Sequence, residues 1–60
     1  MDFTLNINMD NADFENMPHM ILAEILEKIA NKIERGANIG KIMDVNGNTV
    51  GKFEITIKWR

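Results

Sequence analysis

The apolar residues of this chain change their spacing twice, and that change limits the folds open to it more than any other feature. From Phe3 to Met9 apolar and polar residues alternate, placing Phe3, Leu5, Ile7 and Met9 on one face of a half-buried strand. Asp10-Asn11-Ala12-Asp13-Phe14-Glu15-Asn16 breaks the pattern with turn formers, and Phe14 reads as an anchor under the core. Leu22, Ile25, Leu26, Ile29 and Ile33 then fall on one helical stripe, with most charges opposite. Asn16 or Met17 stands at the N-cap, Pro18 suits the first turn, and Gly36 is placed to end the helix in a left-handed conformation. Glu24 and Lys28 have the spacing of a helical ion pair. Period two returns in Lys41–Val45 and Thr49–Trp59, separated by Asn46-Gly47, the strongest short-range hairpin signal.

The order is β-α-β-β, an α+β fold in which residues 1–60 form one small domain. Placing the last strand in the middle makes every pairing antiparallel and centres the longest apolar run. The expected sheet is therefore three-stranded, in order 1-3-2, with one helix packed across one face. Two hairpin registers stay open. A two-residue type I′ turn at Asn46-Gly47 puts Ile42 on the Phe53 face, whereas a bulge at Gly51 brings Met43 and Val45 there instead.

Sixty residues leave no room for a separate catalytic lobe, and a core this small supplies only ~3–5 kcal/mol. Without cysteine there is neither a disulfide nor a thiolate metal site to reinforce it. Seven Lys+Arg against nine Asp+Glu leave a net charge of −2, which argues against bulk attraction to nucleic acid or anionic membrane. No apolar run reaches the ~20 residues of a membrane span, and the acidic start Met1-Asp2-Phe3 is unlike a signal peptide. The expected location is the cytoplasm.

Chemistry-bearing motifs are sparse. Asp44-Val45-Asn46-Gly47-Asn48 begins like a calcium loop, but its glycine is at the fourth position and Ile55 stands where a bidentate Glu belongs. A hairpin accounts for those residues without metal. Asp10, Asp13 and Glu15 read as a solvated acidic loop. His19, the single histidine, falls in the first helical turn without an evident catalytic partner. No glycine spacing matches a phosphate cradle. The expectation is a non-enzyme with no catalytic residue, metal or cofactor.

Recognition of another protein remains. The outer strands expose backbone groups that a partner strand can extend. Met43 and Val45 leave apolar surface where they do not face the core, and Trp59-Arg60 joins two residue types common in binding hot spots. With Lys52 and Lys58 on the open face, the partner-binding set is Met43, Val45, Lys52, Lys58, Trp59 and Arg60. A nucleic-acid-associated accessory protein using Lys52, Lys58 and Arg60 is the alternative, weakened because Phe3, Phe53 and Trp59 share the helix-facing parity and leave no ring on the open face for a base. A small homo-oligomeric subunit, such as a homodimer, is a third reading.

The strand, the Asp/Asn-rich loop with Phe14, the Leu22-Ala23-Glu24-Ile25-Leu26 helix and the Gly40–Gly51 hairpin together resemble small proteins encoded by phages and prophages. The resemblance spans nearly the whole chain but carries no catalytic signature. It implies a role inside an infected bacterium, with a host or phage protein as partner, such as inhibition of a host defence complex.

Overall fold

A computed structural model of the chain describes residues 1–57. It contains β1 (Asp2–Ile7), a short α1 (Asp13–Asn16), the long α2 (Pro18–Glu34), β2 (Ile39–Met43) and β3 (Thr49–Thr56). The sheet has the order β1-β3-β2 and both pairings are antiparallel, as the pattern of apolar residues predicts.

β1 stops two residues short of Met9. The Asn8 side-chain oxygen accepts the Asp10 N–H at 2.8 Å, a local bond that turns the chain away after Asn8 has donated its own N–H to Val50 at 2.7 Å. The loop that follows winds into α1, and this single turn presses Phe14 into the core. Met17 caps α2 without a side-chain bond, and Pro18 occupies the first turn.

α2 buries a row at every fourth residue. Ile25 and Ile29 are buried, with Ile21 and Ile33 packed against the same core. Leu26, which the stripe places on the same side as Ile29 and Ile33, is exposed instead of buried. No ion pair joins Glu24 to Lys28. The helix ends as Gly36 predicts. Gly36 has φ +103° and donates to the Ile33 carbonyl at 2.9 Å, while Ala37 donates to Lys32 at 3.0 Å, closing a Schellman motif.

Of the two registers, the hairpin has the one that puts Ile42 on the Phe53 face, but it reaches that register through a bulge opposite Ile42 and a loop longer than two residues. Its loop is Val45-Asn46-Gly47, closed by Gly47 N–H to Asp44 C=O at 3.1 Å and Asp44 N–H to Asn48 C=O at 2.9 Å. Only Gly47 has positive φ, so the type I′ turn is replaced by a three-residue loop ending in a glycine bulge. That loop alone would shift the register by one residue. A second bulge, where Ile42 pairs with Gly51 and Met43 with Thr49, shifts it back. The two cancel, so Ile42 points inward at 2% exposure while Met43 is 53% exposed. Gly51 is required there, since a Cβ would collide with the Asn6 carbonyl oxygen of β1.

The core is Phe14, Ile25, Ile29, Ile42, Val50 and Phe53, the last with no exposed surface. Phe53 lies over Gly40 so closely that a Cβ at position 40 would stand 2.6 Å from its ring. α2 sits toward the β2 side of the sheet. β1 therefore lacks helix cover along much of its inner face.

Candidate functional site

Three surfaces stand out, and the first is a polar knot at the hairpin end. Asp44 is a buried carboxylate. Its Oδ1 accepts the N–H groups of Asn46 at 2.9 Å and Asn48 at 2.8 Å, so the side chain itself shapes the loop. Its Oδ2 accepts the Asn11 side chain at 2.7 Å and the Asn48 side chain at 3.2 Å. The Asn46 side chain in turn donates to both oxygens of Asp13, at 2.9 and 3.1 Å. Five residues that the sequence disperses between two loops thus tie the entry of α1 to the β2–β3 turn.

Burial pushes the Asp44 carboxyl up, but the backbone and side-chain donors of Asn48, the Asn11 side chain and the Asn46 N–H together hold it below its ordinary value of 3.8. Asp13 is raised by its partial burial and by its closeness to the Asp44 carboxylate, against the lowering effect of Asn46. Among the described residues no buried side-chain polar atom lacks a partner. No group of three or more His, Cys, Asp or Glu among them is placed to hold a metal ion.

The second surface is the open side of the sheet with the free edge of β2. Met43 and Val45 project outward together at the hairpin end, with Ile39 farther along the same strand. Lys52 lies directly across from Lys41, and Asn6 completes the row on β1. The sequence does not single out Lys41, because its side of the sheet depends on the register, which two cancelling bulges decide. Lys58, Trp59 and Arg60 lie outside the described residues.

The third surface has no signal in the sequence. Phe3 and Leu5 share the helix-facing side with Phe53, and the Phe3 and Phe53 ring centroids are 6.4 Å apart at a tilt of 43°. Yet Phe3 is 50% exposed. Beside it an open, mostly apolar groove runs between β1 and the last turns of α2, lined by Met1, Asp2, Phe3, Ile33 and Ile55. Parity along a strand reports which side a residue takes, but not whether the helix reaches far enough to cover it.

No described helix is long and apolar enough to cross a membrane. No protein-family model matches the chain, and no curated protein or solved structure matches it either.

Proposed function

We propose that this chain is a non-enzymatic protein-binding module, working by docking on another protein and occluding or stabilising a complex. The supporting observation is the uncovered inner face of β1. Phe3 and Leu5 sit on the side of the sheet that forms the core, next to a fully buried phenylalanine, yet stay 50% and 37% exposed. Leaving such surface exposed forgoes ~25 cal/mol per Å² that burial against a partner recovers. The outward Met43 and Val45 supply a second apolar patch at the opposite end of the sheet. The resemblance to small phage-encoded proteins favours a host bacterial protein as the target, a defence complex included, and action in the host cytoplasm.

The test is a tagged capture from bacterial lysate, with and without nuclease and at two salt concentrations, beside a Phe3→Ser/Leu5→Thr variant. One stoichiometric protein that survives nuclease and salt and is lost with the variant is the expected result. Material released by nuclease would replace this reading with the nucleic-acid one, for which the adjacent Lys41 and Lys52 on the open face are the supporting feature. Self-association lost with the variant would favour a homo-oligomeric subunit.

A further inference from the structure

The outer edge of β2, together with the groove between β2 and α2, carries information about the partner's chemistry. In the order β1-β3-β2, β2 has one neighbour and one free edge. Ile55 donates to the Asn38 carbonyl at 2.7 Å and Asp44 to Asn48 at 2.9 Å, which sets the phase of the ladder. With that phase, Ile39, Lys41 and Met43 turn their backbone N–H and C=O groups away from β3. Alternate backbone units along β2 are thus open to another strand.

Beside this edge a groove of about 140 Å³ separates the strand from the helix. Ile25, Ile29 and Ile42 supply its apolar walls and Lys28 and Lys32 bring positive charge, while Lys41 borders it from the open face. Its size suits side chains of a docked strand, being well below the ~300 Å³ at which small-molecule pockets begin. In a chain of net charge −2, these three lysines have no ion-pair partner among the described residues. Asp44 reaches the same groove, but its carboxylate already accepts four hydrogen bonds. Lys41 also faces Lys52 directly across the ladder, an arrangement of like charges that destabilises a sheet until an acid is added.

We infer that β2 is extended by a strand from an acidic segment of a partner protein, patterned apolar–acidic–acidic–acidic–apolar opposite Ile39 to Met43. The inference rests on the protein-binding reading and specifies the partner. The central acid lies on the open face beside Lys41 and extends the Lys41–Lys52 row. The acids on either side of it point toward the helix, with their stems on Ile25 and Ile42 and their carboxylates at Lys28 and Lys32. The outer apolar residues pack beside Ile39 and Met43. A second copy of this chain fits poorly at this edge, because antiparallel self-pairing centred on Lys41 sets lysine against lysine. A nucleic-acid strand finds half-apolar walls and, among the described residues that line them, no ring on which to stack.

The probe is a dye-labelled peptide with a Val-Glu-Glu-Glu-Val core, titrated by fluorescence anisotropy against the whole chain. A Val-Lys-Lys-Lys-Val peptide and a single-stranded oligonucleotide serve as comparisons. The acidic peptide is expected to bind, the lysine peptide not, and Lys28→Glu and Lys41→Glu are each expected to weaken binding about tenfold, with an unchanged unfolding midpoint in Lys28→Glu and an unchanged or raised one in Lys41→Glu, which sets an acid opposite Lys52. Amide exchange should slow at Ile39, Lys41 and Met43. Equal binding of both peptides, protection elsewhere, or no binding of the acidic peptide overturns the inference. Binding of the oligonucleotide in its place, lost with the same lysine variants, overturns it in favour of nucleic acid. Running both lysine variants in the lysate capture separates the two proposals. A captured protein lost with Phe3→Ser/Leu5→Thr but indifferent to both lysine changes, with no peptide binding, sinks the acidic strand and leaves the protein-binding reading standing.

Discussion

Asp44 and Asp13 meet through asparagine side chains, and their opposite shifts give the folded chain a definite response to acid. Asp44 is held below 3.8, so it contributes stability above that value and loses it as pH falls through its folded pKa. Asp13 is raised above 3.8, so its ionised form opposes folding at neutral pH. That opposition is relieved as pH falls through its folded pKa. The unfolding midpoint should therefore rise slightly on the acid side of neutral and then drop below pH 3.8. Asp13→Asn keeps an acceptor for Asn46 and gains a donor toward Asp44. It should match or exceed the parent's midpoint at neutral pH and lose the acid-side rise, as thermal unfolding across pH would read. A clear loss of stability at neutral pH would mean that the Asp13 charge supports the loop. The sequence shows the asparagines as turn formers, and that reading holds for Asn46 and Asn48. It shows nothing of Asn11 reaching Asp44, because a bond across 33 residues leaves no trace in local composition.

Among the elements, α2 is the most legible, because Pro18, the apolar stripe and Gly36 act within a turn or two of themselves. A Cβ at position 36 would meet no atom within 4 Å, so a substitution there reports backbone strain alone. Gly36→Val should cost about 1–2 kcal/mol, whereas Lys32→Ala, at an exposed lysine without an ion pair among the described residues, should stay within ~0.5 kcal/mol. Paired denaturant titrations would show the difference, and equal midpoints would remove Gly36 from the helix stop. The hairpin is legible only in part. Asn46-Gly47 marks the reversal, and Gly51 marks a bulge. Their combined parity is a sum of two one-residue shifts, which neither signal contains alone.

The whole molecule measures 45 × 20 × 18 Å, and its radius of gyration of 12.6 Å exceeds the roughly 10 Å of a compact chain of this length. An elongated body shares a narrow core between helix and sheet, which is why the two phenylalanines of the inner face differ so much. Phe53→Ala should cost ~3–5 kcal/mol, as much as a core of this size supplies, and leave the chain largely unfolded by circular dichroism. Phe3→Ser, at a side chain already half in water, should retain the fold. If Phe3→Ser unfolded the chain as well, the β1 face would be core instead of docking surface.

The types and order of β1, α2, β2 and β3, the β1-β3-β2 sheet and the helix stop follow from the sequence by itself, whereas α1 lies in a stretch that reads only as turn formers. Each legible feature rests on periodicity or on a residue whose backbone preference acts locally. Tertiary structure alone decided the rest: the cancelling bulges that turn Ile42 in and Met43 out, the alignment of Lys41 with Lys52, the Asp13–Asn46 and Asn11–Asp44 bonds, and the displacement of α2 that leaves Phe3 half exposed. Those features depend on where whole elements come to rest. That position is fixed by packing summed over the core, a quantity no short stretch of chain carries.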